Sequence, residues 1–420
     1  MITLIEAKNY RCLYSVRQTL SPFQVLVGPN ASGKTTFLDV VSFLGDFVSE
    51  GPLAAIGKRT KNFYDLLWWR SGEGFELAVE ADIPENMKKL LHDPEYENIR
   101  YEVALKYDQG SQEISIQTEK VLLKKRNPEP AARQRSLFPA EVISPDTIIT
   151  PTRQKGSTLI VNKCPDGNDN FYAEPYRDKG KGGIPSFKLG PQKSALANLP
   201  ADEEKFPITS WLKNLLTQNV TQIMLNSLLI RQASPPGQGR HFKADGSNLP
   251  WVIDRLKTSD PDRFANWIAH LRTALPDLEN VRTVEREDDR HRYLMLEYAG
   301  GLNVPSWMAS DGTLRLMALS ILAYLSNFSG IYLIEEPENG IHPRAVDTMF
   351  QSLSSVYDAQ ILVATHSPVV LSLVEPENVL CFAKTEQGAV DIVRGDEHPA
   401  LRDWKGEANL GVLFAGGVLG

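Results

Sequence analysis

The sequence predicts an α/β fold: a split parallel sheet with crossover helices, an antiparallel β-subdomain, and a mainly helical insertion between the two halves. Three observations carry this prediction. Near the start, the short apolar run Gln24-Val25-Leu26-Val27 stops at Gly28, and a helix-spaced segment opens at Lys34. In the last third, helix-period and strand-like segments alternate from Gly312 to Phe382, the rhythm of parallel strands joined by crossovers. Between them the pattern breaks, first into Pro/Gly/Lys/Arg-rich sequence and then into helical periodicity.

In chain order, strand-like segments and short turns alternate from Ile2 to Leu26. Thr36 to Leu44 has helical apolar spacing. Phe75–Ala81, Ile99–Tyr107 and Glu113–Leu122 read as antiparallel strands. From Lys124 to Lys193 punctuation dominates, as in Pro128-Glu129-Pro130 and Lys179-Gly180-Lys181-Gly182-Gly183. The spacing then predicts helices over Ile208–Gln218, Thr221–Ile230, Pro250–Lys257 and Asp262–Ala274. A strand follows at Arg292–Tyr298 and a helix from Gly312 to about Asn327. Strands are expected at Ile331–Ile334, Gln360–Ala364 and Val379–Phe382, with a helix after Pro343. This divides the chain into an N-terminal lobe (1–123), an insertion (124–289), a C-terminal lobe (290–396) and a tail (397–420).

The 420 residues are 42% hydrophobic, enough to bury a sizeable core without staples. Cys12, Cys164 and Cys381 lie far apart, with no zinc or disulfide spacing, so a cytoplasmic setting and no membrane contact are expected. No run approaches the roughly 20 apolar residues of a membrane span. A formal net charge of −7 argues against coating nucleic acid by bulk charge, but leaves room for a local basic track.

Four motifs carry chemistry. Gly28-Pro29-Asn30-Ala31-Ser32-Gly33-Lys34-Thr35-Thr36 contains the phosphate-loop pattern between a strand and a helix. The glycines let backbone N–H groups turn inward, and the helix adds its positive end. Lys34 supplies a point charge to terminal phosphates, and the Thr35 hydroxyl is suited to Mg²⁺. Next, Ile331-Tyr332-Leu333-Ile334 delivers Glu335 and Glu336 at a strand's carboxyl end, where α/β sheets place ligands. Third, Ser310-Asp311-Gly312-Thr313 opens an apolar-faced helix about twenty residues earlier, an ordinary N-cap or a second anion site. Fourth, His366 follows the apolar strand Leu362-Val363-Ala364, about thirty residues past the acids. Glu338-Asn339-Gly340-Ile341-His342-Pro343 forms a tight loop between the second and fourth.

These motifs, in this order, resemble the RecF/SMC/OLD-like ABC-type ATPases. The resemblance covers about residues 1–45 and 300–370. It implies an ATPase head that binds ATP and Mg²⁺ and is completed when two copies meet around nucleotide. On that pattern Thr35 and Glu335 hold the metal, Glu336 is the general base and His366 senses the γ-phosphate. Arg11, Gly28, Asn30, Ala31, Ser32, Gly33, Lys34, Thr35 and Thr36 bind nucleotide in one protomer. Ser310, Asp311 and Gly312 cap it from the other, and Asn339 sits in the loop that crosses the interface. Glu335 departs from the usual Asp. No glutamine stands at the spacing of the metal-contacting loop; Gln154 and Gln192 are the candidates.

Within that branch the chain looks like stand-alone ATPases of anti-phage systems, similar to the ATPase components of PARIS, Septu and Gabija. Single-chain OLD nucleases carry a TOPRIM domain after the histidine. Only 54 residues follow His366 here, against on the order of 100 for a domain. The expected partners are therefore a second copy and a separately encoded effector such as a small TOPRIM-like nuclease. The alternative is a RecF-like DNA clamp, using a basic track through Lys124, Lys125, Arg126, Arg133, Arg135, Arg153, Lys155, Lys163, Lys179, Lys181, Lys188 and Lys193. A transporter ATPase would need a fuller Leu-Ser-Gly-Gly-Gln signature and a membrane partner.

Overall fold

The computed structural model describes residues 1–91, 93, 95–125, 135–164, 167–174, 185–202, 204–239, 241–326, 328–401 and 409–419. In chain order the strands are β1 (Ile2–Tyr10), β2 (Leu13–Thr19), β3 (Phe23–Val27), β4 (Gly74–Asp82), β5 (Tyr96–Asp108), β6 (Glu113–Lys125), β7 (Ser157–Lys163), β8 (Asp169–Phe171) and β9 (Ser186–Phe187). There follow β10 (Val220–Ile223), β11 (Leu278–Glu285), β12 (Arg292–Tyr298), β13 (Leu302–Pro305), β14 (Gly330–Glu335), β15 (Ala359–Thr365), β16 (Val379–Lys384) and β17 (Val390–Arg394). The helices are α1 (Lys34–Glu50), α2 (Pro52–Gly57), α3 (Glu85–Lys88), α4 (Pro207–Gln218), α5 (Ser227–Arg231), α6 (Leu249–Ser259), α7 (Pro261–Ala274), α8 (Asp311–Ser320), α9 (Pro343–Ser354), α10 (Pro368–Leu371) and α11 (Leu410–Ala415).

Three sheets result. The parallel one runs β10-β14-β15-β3-β16, with β17 antiparallel at its edge. It joins both ends of the chain, because β3 of the N-terminal lobe lies between β15 and β16. Its strands are apolar on both faces, and all seven residues of β15 are buried. Alternation assigns the faces: Leu26, Leu362, Leu380 and Phe382 pack toward α1, while Val25, Val363 and Cys381 pack toward α8 and α9. The larger antiparallel sheet, β2-β1-β4-β5-β6-β7-β8-β9, covers the other side of α1.

Helix α1 is therefore buried between two sheets. Phe37, Phe43 and Phe47 are inaccessible to water, and Phe37 meets Phe382 edge-on at 5.5 Å. Each such ring stabilises the fold by roughly 1.5–3 kcal/mol. The same packing pins the loop from which α1 starts.

The region 124–289 feeds both large sheets. β6 runs through 124 to Lys125, and β7, β8 and β9 extend the antiparallel sheet. Helices α4 to α7 supply its helical part. The helix expected over Thr221–Ile230 is instead strand β10 followed by the short α5. The four residues of β10, Val220-Thr221-Gln222-Ile223, pair in register with Ile331–Ile334. A free sheet edge outweighs the weak helical propensity of three β-branched residues. The helix expected to reach Asn327 ends earlier, α8 giving way to a 3-10 turn at Ile321–Tyr324.

In the tail, Leu410 and Leu419 are buried and Asn409 caps α11. A Cβ on Gly411 would lie 2.0 Å from the Pro368 carbonyl, so α11 packs directly on the start of α10. Asp403 and Trp404 lie outside the described residues. No helix among the described residues is long and apolar enough to cross a membrane.

Candidate active site

The loop after β3 has the shape an anion cradle requires. Ala31 adopts φ 61° and Gly33 φ 103°, which turns the loop into the N-terminus of α1. A Cβ on Gly28 would come within 2.2 Å of the Phe382 carbonyl oxygen, so only glycine fits there. The Lys34 ammonium folds back into the loop and donates to the carbonyls of Gly28 (2.7 Å) and Pro29 (3.0 Å). Burial lowers its pKa to about 8, against the pull of Glu336 and Glu335 in the other direction.

The acids arrive from β14. Thr35 Oγ1 donates to Glu335 Oε2 at 2.5 Å, and Gln222 Nε2 donates to Glu335 Oε1 at 3.1 Å. The longer arm of glutamate, the departure noted in the sequence, spans both contacts. Gln222 stands on β10 beside this strand and, unlike Gln154 and Gln192, is bonded to Glu335. None of the three lines the cleft.

Glu336 follows at φ 46°, a left-handed conformation that costs a non-glycine residue roughly 1–2 kcal/mol. Its N–H is held by the Ala364 carbonyl at 2.7 Å. Asn339 donates to Glu336 Oε2, and His366 Nε2 lies 3.5 Å from Glu336 Oε1. The Nδ1 atom of His366 faces the Lys34 ammonium at 3.5 Å. Lysine can only donate, so Nδ1 accepts and Nε2 carries the proton facing Glu336. One neutral tautomer satisfies both contacts.

Arg11, Asn30, Ala31, Ser32, Gly33, Lys34, Thr35, Thr36, Glu335, Glu336 and His366 line one cleft of about 650 Å³. Arg11 (φ 52°) is steered by Asp39 at 3.5 Å, which also binds Arg59 and the Tyr10 hydroxyl. Ser310, Asp311, Gly312 and Asn339 do not line it. Ser310 Oγ caps α8 by accepting from Thr313 N–H at 3.1 Å, and Asp311 pairs with Arg231 at 2.6 Å. A Cβ on Gly312 would lie 2.4 Å from the Gly340 carbonyl, which locks the start of α8 against the loop bearing Asn339.

A protein-family model described as "AAA domain, putative AbiEii toxin, Type IV TA system" matches residues 23–162 and 186–372. The chain belongs to this AAA-domain family. The match includes the phosphate loop, Gln222, the acid pair and His366. A curated relative, "Protein ea59" of Escherichia phage lambda, is 26% identical over 182 residues. That match spans 41% of this chain and 32% of the relative, so the chain covers about a third of that protein's length. Among solved structures, an SMC head bound to the C-terminal winged-helix domain of ScpA is similar with a TM-score of 0.52. It is 13% identical, covering 93% of this chain and 97% of that one. The SMC head of Thermotoga maritima is similar at a TM-score of 0.43 and 10% identity, covering 94% and 98% of the two chains. The AAA domain thus has the fold of an ABC-type ATPase head.

Two features of the AAA domain were hidden in its sequence. Gln222 sits in a four-residue strand whose pattern passes for a helix start, and only its pairing with β14 brings it to Glu335. Trp68, Trp69 and Arg70 also line the cleft. The tandem tryptophans beside a basic residue were a visible signal without a partner motif.

Proposed function

We propose that the chain binds and hydrolyses ATP and closes as a dimer around it. In this reading the dimer is the nucleotide-driven switch of a separately encoded effector, a nuclease, in prokaryotic anti-phage defence. The observation that carries the ATPase reading is the convergence of Lys34, Thr35, Glu335, Glu336 and His366 from three separate stretches of chain on one cleft.

The residues fit a hard cation. Thr35 and Glu335 offer oxygen ligands 2.5 Å apart, with the Gln222 amide bonded to the same carboxylate. Among the described residues no three His, Cys, Asp or Glu side chains form a cage. That is the sparse donor set used by Mg²⁺, which completes its shell with substrate phosphates and water. Bound there, Mg²⁺ would neutralise charge on the phosphates. The chain's own part is positioning. The loop N–H groups and Lys34 hold the phosphates, Glu336 takes a proton from the attacking water, and Asn339 and His366 fix its carboxylate.

Ser310 and Gly312 lie outside the cleft at a helix N-terminus, which supports their service to a second protomer. The family description, a toxin of a type IV toxin–antitoxin system, supports a two-component role. The DNA-clamp alternative loses part of its basis and keeps the exposed Arg153, Lys155, Lys188 and Lys193. Lys124 pairs with Glu80, Lys125 with Asp93 and Glu95, Arg135 with Asp391, and buried Lys163 with Asp169. Arg126, Arg133, Lys179 and Lys181 lie outside the described residues.

Two tests follow from this reading. Ser310→Arg should leave ATP binding by the monomer intact yet block ATP-dependent dimerisation, read by light scattering. Unchanged dimerisation would remove the signature role. Gln222→Ala should lower Mg²⁺-dependent turnover about 10- to 100-fold, as for other residues that orient a metal ligand. Titrating Mg²⁺ at saturating ATP checks this, with a rightward shift in the Mg²⁺ requirement expected.

A further inference from the structure

The cleft has a second half that phosphate chemistry leaves unused. Its rim is formed by the segment that follows α2: a 3-10 turn at Phe63–Leu66, then Leu67, Trp68, Trp69 and Arg70. Trp69 is 72% exposed, more than any other indole among the described residues. Trp69 and Arg70 are consecutive non-glycine residues at φ 51° and 54°. L side chains rarely adopt that conformation, and it persists only where the surroundings enforce it.

Here the surroundings do enforce it. Leu66 and Leu67 are buried, the Leu66 carbonyl accepts from the Arg11 N–H at 2.8 Å, and Leu67 bridges to Tyr10. The Arg70 N–H closes a turn onto the Leu67 carbonyl at 3.0 Å. Arg70 is tied to Asp65, whose other oxygen accepts from Thr60 at 2.6 Å. Trp68 is wedged beside Tyr14, with ring centroids 5.6 Å apart, and near Gly388 of the β16–β17 turn. The two indoles stand 5.9 Å apart with planes inclined by 42°, so they cannot lie on the same flat ligand. Trp68 is the fixed wedge, and Trp69 is the free face.

We infer that Trp69 is a stacking platform for the base of the nucleoside triphosphate, presented by the strained Trp69–Arg70 turn at the mouth of the phosphate-loop cleft. The inference rests on the nucleotide reading above and adds what recognises the non-phosphate end of the ligand. A π-face without hydrogen-bonding groups supplies affinity for the base and little choice among bases.

The test compares ATP with inorganic tripolyphosphate, each with Mg²⁺, by calorimetry on the full chain carrying Glu336→Gln. Added Trp69→Ala should weaken ATP about tenfold, within the range for losing one base–aromatic stack, and leave tripolyphosphate unchanged. Trp69→Phe should recover most of the ATP affinity. Because Trp69 is exposed, both variants are expected to fold, and their melting curves check this. Equal weakening of both ligands would mean that Trp69 only shapes the loop and would overturn the inference, as would no weakening of either. Failure of the unaltered cleft to bind ATP or tripolyphosphate in a Lys34-dependent way would instead overturn the nucleotide reading beneath it.

Discussion

Glu336→Gln is expected to stop ATP turnover while leaving nucleotide binding nearly unchanged. The substitution keeps the side chain's size and one acceptor oxygen for Asn339, but removes the basic oxygen that would take the water's proton. A positioned general base contributes about 10²- to 10⁴-fold, so the residual rate should fall by at least a hundredfold. The closed dimer should then accumulate with ATP, because the step that opens it is blocked. A phosphate-release assay paired with native mass spectrometry reads both consequences. A variant that hydrolyses at the normal rate would remove Glu336 as the base. Glu338 is a weak successor, since its carboxylate accepts from Thr365 at 2.5 Å, and burial raises its pKa. Glu335 would be next, at the cost of its metal role.

Lys34→Ala should abolish binding itself. In the free protein this ammonium bonds only to carbonyl and hydroxyl groups of its own loop and faces His366. Burial lowers its pKa, with Glu336 and Glu335 pulling the other way. In the proposed reading, bound polyphosphate would add countercharge. Deleting one member of such a buried charged pair costs on the order of 10²-fold or more in affinity. Stability should move little, because the deleted charge is one that burial disfavours. A melting midpoint within a few degrees of the parent, together with lost ATP binding in calorimetry, is the expected pair of results. A large drop in the midpoint would mean that Lys34 mainly holds the loop together, and would weaken the phosphate assignment. A partner that co-purifies with Glu336→Gln but not with Lys34→Ala would further support the two-component reading.

These two residues were legible before any coordinates because their chemistry is local. A phosphate loop is one contiguous turn between a strand and a helix, and its glycines, lysine and threonine are all set by one stretch of backbone. The acid pair and His366 were legible for a related reason. Each ends a buried apolar strand, and parallel strands of one sheet bring their carboxyl ends to one edge. The order of strands alone therefore placed Glu335, Glu336 and His366 near Lys34. Arg11 was reached only through resemblance, and the fold brings it to the same cleft through Asp39.

Gln222 shows where this reasoning stops. Four residues carry too little periodicity to separate a strand from a helix, and the competing factor is a partner 111 positions away, as Gln222 aligns with Leu333. The basic residues of the middle region show the same limit in charge. Their clustering in sequence suggested a track, but Lys124, Lys125, Arg135 and Lys163 pair with acids on neighbouring strands or loops, while Arg153, Lys155, Lys188 and Lys193 stay exposed. By itself, the sequence determined the α/β class, the phosphate loop and the order of the acid and histidine motifs, because these depend on short-range backbone geometry and hydrophobic period. Only the tertiary structure decided which glutamine meets Glu335, which lysines are already paired, and that Trp69 stands open at the rim. Those outcomes depend on which distant surfaces come into contact, and contact, unlike period, leaves no local trace.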